Sequence, residues 1–299
     1  MKKQIKMKST REDKVFDALT YIILGAAMLI VAFPLYFILI ASFSDPTATA
    51  RGEVLLFPVS PSLEGYQRIF QNKDIWTGYA NTLVYTIFGT TLNVFLTMAV
   101  AYPLSRKYFS GRKVLMGYFM FTMFFNGGLI PEYLLVKNLD LRDTLTVMVV
   151  LGAVNVFNVI IARTFLMSNI PSELEEAASI DGCSQIRFFF QMVLPLSGAI
   201  IAVLVLYYGI AHWNDYFKGM IYLNSTEKYP LQLVIRSILI QSQLEAVDDT
   251  LMETMNARIH IAELVKYGVI IVSSLPVLVL YPFLQKYFTK GVMIGSVKG

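Results

Sequence analysis

The sequence has one cysteine, Cys183, so an intrachain disulfide is excluded. Its two histidines, His212 and His260, stand apart, and no Cys/His cluster has metal-ligand spacing. No Gly-x-x-x-x-Gly-Lys-Ser/Thr run occurs, which excludes ATP binding through a phosphate loop of that kind. Charge is also scarce. Asp, Glu, Lys and Arg make up 15% of the chain, against about 25% in an average soluble domain. A net charge of +4 over 25 scattered basic residues is not a nucleic-acid footprint. The one cluster of acids, Glu173, Glu175, Glu176 and Asp181, has no His or Cys pair to join it as metal ligands.

What is present is apolar sequence in long runs. Hydrophobic residues are 56% of the chain and mean hydropathy is +0.57. Residues 18–44 carry no charge and follow a basic tail of Lys2, Lys3, Lys6, Lys8, Arg11 and Lys14. A signal-peptide core has only about 7–15 apolar residues, so this run is read as a retained membrane span. Further uncharged runs place spans within 75–105, 114–131, 144–162 and 188–214, and a sixth at 259–285. Asn126-Gly127-Gly128 should loosen the third. The expected fold is therefore all-α and integral to the membrane. It has six transmembrane helices over residues 18–285, between tails at 1–17 and 286–299. Lys and Arg concentrate in the N-terminal tail and at Arg106, Lys107, Arg112 and Lys113, which places both termini in the cytoplasm.

The polar break at 168–191 is a loop on that same side. Ser172 and Glu175 have capping-box spacing, predicting a helix from Glu173 that Asp181-Gly182 ends. Ser184 can cap a second short helix from Gln185. Leu174, Ala177 and Ala178 are expected on one slim stripe, with Glu173 and Glu176 opposite. A helix this short needs a partner surface. An acidic loop on the cytoplasmic side suits a protein partner better than anionic lipid. The alternative is an amphipathic helix resting on the membrane or on its own domain.

Glu176-Ala177-Ala178, Asp181-Gly182, Phe188 and Leu194-Pro195, set between two spans, resemble the EAA loop of permease subunits of bacterial ATP-binding-cassette (ABC) importers. Trp213-Asn214-Asp215-Tyr216 and the C-terminal run 290–299 resemble the carbohydrate, maltose-type branch. The resemblance implies a type I importer permease in the bacterial inner membrane, with the EAA loop as a cytoplasmic coupling helix. Glu176, Ala177, Ala178, Asp181 and Gly182 would contact an ATPase subunit, and Gly295, Val297, Lys298 and Gly299 would reach into the ATPase dimer. ATP and Mg2+ would sit on the partner ATPases, with no cofactor on this chain. The implied partners are a second permease, two ATPase subunits, an extracytoplasmic solute-binding protein and membrane lipid, with no nucleic acid.

A sugar path needs amides and aromatic faces inside spans, which marks Asn126, Asn155, Asn158, Tyr207, Tyr208 and His212, with Asn81 and Asn93 in the second span. Each can equally serve interhelical hydrogen bonding or packing. The long polar segment 215–258, expected outside, holds Leu231, Val234, Ile235, Ile238 and Leu239 at helical spacing. The resemblance implies that it touches the binding protein. Two other functions compete with transport by an ABC importer. An ion-coupled secondary transporter usually carries ionisable residues inside its spans, and the first five runs hold no acid. A membrane-embedded enzyme would need a catalytic cluster, and the acids of the 171–181 stretch are the one concentration.

Overall fold

The computed structural model describes residues 10–245, 265–279 and 282. No strand forms among them. The C-terminal contact residues Gly295, Val297, Lys298 and Gly299, most of the N-terminal tail and Glu263 lie outside the described residues. The chain divides into two compact units: residues 1–71 with 241–272, and residues 72–240 with 273–299.

In the first unit, α1 (Arg11–Ala41) starts at a capping box. Thr10 Oγ1 accepts from the Asp13 amide and Asp13 accepts from the Thr10 amide. Ile22, Met28 and Ile30 stay exposed along it, as lipid-facing residues do. Two short helices follow, α2 (Pro46–Ala50) and α3 (Glu64–Gln71). The link between them folds back on the end of α1, through Asp45 N–H to the Val59 carbonyl and Ser62 N–H to that of Phe43. Ile40, Ala48 and Val54 close a small core there.

The second unit is built on α4 (Lys73–Ser105), 33 residues or about 50 Å at 1.5 Å per residue. After it come α5 (Arg112–Phe124) and α6 (Leu129–Asn138), bent by 111° at their break. Gly128 there has φ +81°, and its amide donates to Asn126 Oδ1 at 3.1 Å. The loosening expected at Asn126-Gly127-Gly128 is thus a sharp bend. Next are α7 (Leu145–Val150) and α8 (Val156–Asn169). The span expected over 144–162 is not one continuous helix. Gly152 takes φ +76°, Thr144 caps α7 and Asn155 caps α8, so the backbone hydrogen-bond ladder restarts.

The coupling loop supplies α9 (Ser172–Ile180) and α10 (Gln185–Phe188), then a π-helical turn over Phe189–Val193 and α11 (Leu194–Leu196). The stretch Gln185–Leu196 meets α12 (Gly198–Trp213) at 80°. Beyond lie α13 (Phe217–Tyr222), α14 (Leu231–Glu245) and α15 (Val265–Val279). Among the described residues, two helices by length and polarity, α1 and α4, can each cross a membrane, or four segments if each bent pair is one span. α8 and α15 are apolar but shorter.

The core of the second unit lies between α4, α8 and α12. Met98, Ala101, Leu104, Val159, Leu166 and Leu204 are almost wholly buried there. Helices α4 and α12 approach closely at Gly89, where an added Cβ would lie 2.4 Å from His212 Nε2. As its spacing predicts, α14 is helical and buries Leu231, Val234 and Ile235. The segment before it is held down by side chains. Asn81 donates to the Glu227 and Tyr229 carbonyls, Tyr85 to that of Lys228, and Thr82 Oγ1 accepts the Leu231 amide. Asp143 accepts from Ser225 Oγ at 2.6 Å and from the Ser225 and Asn224 amides, and pairs with Lys228 Nζ at 3.0 Å. Hydrogen bonds from Ser225 and from Lys228 hold its carboxyl well below the usual carboxylate range.

Candidate functional site

Two sites emerge, both in the second unit. The first is the turn at 171–188. α9 starts at Ser172, with Pro171 as its N-cap in an extended conformation and no side-chain cap. The capping box expected from Ser172 and Glu175 does not form. Ser172 sits inside the first turn, and Glu175 is drawn inward by stronger partners. The end of α9 follows expectation. Gly182 has φ +75°, the Cys183 amide donates to the Ala178 carbonyl at 2.9 Å and the Gly182 amide to that of Ser179 at 3.1 Å. That is a Schellman closure. No atom would crowd a Cβ at Gly182, so the left-handed backbone, and not space, requires glycine. Ser184 then caps α10 by accepting the Arg187 amide.

The inward face differs from the expected stripe. Leu174 and Ala178 pack on the α4–α8–α12 core, together with Cys183. Glu175 is 7% exposed, whereas Ala177 and Glu176 face outward. The correction to Ala177 has a plain cause: burying Glu175 with Leu174 and Ala178 rotates Ala177 away from the core. The outward surface gains Ile180 at 87% exposure, and Ile186 of α10 is exposed at 73%.

Glu175 anchors a buried polar cluster. Its Oε1 accepts from Tyr108 Oη at 2.7 Å and from Tyr102 Oη at 3.3 Å. Its Oε2 lies 3.4 Å from Nε of Arg106, which is 5% exposed. Arg106 also donates from Nη1 to the Ile170 carbonyl, and its guanidinium lies 4.9 Å from the Tyr102 ring centre. Gln185 Oε1 is also within reach of both hydroxyls, at 2.8 Å from Tyr102 and 3.2 Å from Tyr108; with one proton each, Tyr102 donates chiefly to Gln185 and Tyr108 chiefly to Glu175. Burial, and then the bond to Glu175, lifts the Tyr108 phenol above its ordinary pKa, which keeps it a donor. None of these long-range partners of the turn was singled out from sequence. One clue existed: Arg106 and Tyr102 end the second apolar run on the side assigned to the loop.

The second site is a cavity of about 490 Å3 among α4, α8 and α12. Five of the six path candidates line it: Asn155, Asn158, Tyr207, Tyr208 and His212, joined by Asn93. Asn93 Nδ2 meets His212 Nε2 at 3.0 Å, and Thr97 Oγ1 meets Tyr208 Oη at 2.7 Å. Tyr208 Oη also accepts the Asn155 amide. Asp215 and Lys218 line the same cavity and pair with each other at 2.8 Å. The lining is therefore rich in amides and hydroxyls, and its two charges cancel. Asn126 is not among these residues; it is exposed and holds the α5–α6 bend. Asn81 serves the backbone of residues 227–229 instead. Among the described residues, no group of three His, Cys, Asp or Glu side chains converges as metal ligands would.

Long apolar helices, an exposed loop-borne helix pair and a cavity that gathers amides, hydroxyls and one neutralised ion pair are the features a transport subunit would need. No protein-family model matches the chain. It is 38% identical over 293 residues to protein LplC of Bacillus subtilis (strain 168), covering 98% of each chain. It is also 38% identical to the polygalacturonan/rhamnogalacturonan transport system permease protein YtcP of the same organism, covering 96% of this chain and 100% of that one. Among solved structures it resembles a chain of a bacterial ABC transporter involved in the import of the acidic polysaccharide alginate. That likeness has a TM-score of 0.84 and 32% identity, over 95% of this chain and 100% of that one. The chain belongs to the permease family of carbohydrate ABC transporters. Neither the secondary-transporter nor the membrane-enzyme reading gains support from these relatives. Family membership implies a multi-pass membrane protein whose role is transport and not catalysis.

Proposed function

We propose that this chain is one of two permease subunits of an ATP-driven importer that passes an oligosaccharide inward by alternating access. In this reading six spans cross the membrane and both termini lie in the cytoplasm. A solute-binding protein delivers the sugar outside, near residues 215–258. Two ATPase subunits, carrying ATP and Mg2+, close on the inside. The observation that carries it is the 171–188 turn. Its inner face is packed on the transmembrane core, while Glu176, Ala177, Ile180 and Ile186 present a small, mixed apolar and acidic outer face. That outer face suits a groove on the ATPase. Ala177 keeps it slim, Glu176 offers a carboxylate to a basic group, and Asp181-Gly182 fix the angle of the second arm. The tail residues Gly295, Val297, Lys298 and Gly299 make a further contact with the ATPase dimer.

The cavity of Asn155, Asn158, Tyr207, Tyr208 and His212 lies on the sugar path, where amides and ring faces match hydroxyls and apolar sugar faces. Asn126 acts instead at the bend before α6. The names of the relatives support a carbohydrate, with polygalacturonan or rhamnogalacturonan for YtcP and alginate for the solved transporter. Others are maltodextrin and arabinooligosaccharide permeases.

The test is uptake by vesicles holding the purified complex and its binding protein, with uronate and neutral oligosaccharides in parallel. ATP-dependent accumulation of one class is expected. Uptake driven by an ion gradient through this chain alone, with ATP absent, would overturn the reading.

A further inference from the structure

The turn is not merely packed against α4; it is tied to it by a buried charge pair whose geometry poorly suits a stabilising role. Arg106 and Glu175 are 5% and 7% exposed; Arg106 Nη2 and Nε are buried with no hydrogen bond among the described residues, Nε facing Glu175 at 3.4 Å only as an ion pair. Desolvating two charges with donors left unspent yields little or no net stability, and similar pairs can be replaced by apolar residues without loss. What such a pair does supply is a fixed position.

The cluster also reaches both arms of the turn. Glu175 belongs to α9 and Gln185 to α10, on opposite sides of Gly182, and Tyr102 and Tyr108 are within hydrogen-bond reach of both. Tyr102 is on α4 and Arg106 caps that helix. The same α4 carries Thr97 and Asn93, bonded to Tyr208 and His212 at the polar cavity. Asn93 and Arg106 are separated by about 20 Å of continuous helix at 1.5 Å per residue.

We propose that Arg106, Glu175, Tyr102, Tyr108 and Gln185 form a latch that makes the coupling turn and α4 move as one body. Glu175 and Arg106 are its positioning residues. The inference rests on the importer reading above and adds an internal link between the ATPase-facing turn and the cavity. Neither residue need touch ATPase or sugar. Motion of α9 is passed to α4 because the pair resists sliding, whereas an apolar contact would let one element shift past the other.

The test compares Arg106→Met with Glu175→Met together, each single change, and Tyr108→Phe, all in the reconstituted complex. The double change removes both charges. It should leave protein level and thermal midpoint near those of the unaltered chain, while sugar imported per ATP hydrolysed falls by about fivefold or more. Each single change should lower the thermal midpoint as well, by stranding one buried charge. Tyr108→Phe deletes one hydroxyl from a largely exposed ring, so it should fold, and the ratio should fall by about twofold. An unchanged ratio in the double variant overturns the latch. Should that variant fail to assemble, an unchanged ratio for Tyr108→Phe overturns it instead. If the unaltered complex shows no ATP-dependent uptake, the importer reading itself has failed.

Discussion

Glu175 and Asp143 are both carboxylates that tie a connecting segment to the helical body, and they do so in opposite ways. Asp143 is half-buried with every contact well made, by one hydroxyl, two amides and an ammonium. Glu175 is buried with a guanidinium two of whose nitrogens, Nε and Nη2, make no hydrogen bond among the described residues. The first arrangement fastens residues 222–228 at small desolvation cost. The second is costly to bury and costly to break, because removing either partner leaves a charge with nowhere to go. A half-buried clasp can be loosened without consequence for the core, and a fully buried one cannot.

The sharpest way to break the contrast is Glu175→Ala. Stranding Arg106 should cost about 3–5 kcal/mol, read as a lower thermal midpoint and reduced protein in the membrane. A shift no larger than that of Asp143→Ala would mean that the two carboxylates are equivalent after all. Gly182→Val comes next. At φ +75° a β-branched residue is strongly disfavoured, with a penalty of about 1–3 kcal/mol. The second arm of the turn should misalign, seen as loss of uptake with ATP turnover retained.

The Asp143 clasp responds to pH in a defined direction. Its folded-state pKa is depressed, so its contribution is fully present above the ordinary carboxylate value and is lost as pH falls through the depressed one. Asp143→Asn should therefore loosen residues 222–228 at neutrality, where the carboxylate's contribution is full, and flatten acid sensitivity below about pH 4; hydrogen exchange at residues 222–228 checks it. The smallest effect on folding belongs to Ala177→Leu. Ala177 faces outward, so the thermal midpoint of the permease should stay put, while ATPase binding, measured by co-purification, weakens. A lowered midpoint there would mean that Ala177 packs inward as the stripe first suggested.

Much of the turn was legible before the fold. Asp181-Gly182 marked a stop because only glycine relaxes into φ near +75°, and Ser184 marked a cap because it sits just before a helical run. Asn126-Gly127-Gly128 marked a weak point for the same local reasons. These are short-range effects, decided within a few residues. The break inside the fourth apolar run was not legible, because uncharged composition measures partition into lipid but says nothing of Gly152 turning the backbone at φ +76°.

What the sequence by itself determined is the class of molecule: apolar runs too long for a soluble core, a polar turn among them with its glycine stop, and an ordered motif that resembles the EAA loop. Only the tertiary structure decided which way that turn faces. Helical spacing leaves a nine-residue helix free to rotate by one position, so Ala177 inward and Glu175 inward were both consistent with the pattern. The choice was made by Arg106, Tyr102 and Tyr108, far from Glu175 in sequence, because a buried carboxylate must find its donors wherever the chain brings them. The same holds for the cavity. Asn93 and His212 each read alone as a lone polar group in a span, and only the close crossing of α4 and α12 at Gly89 makes them partners.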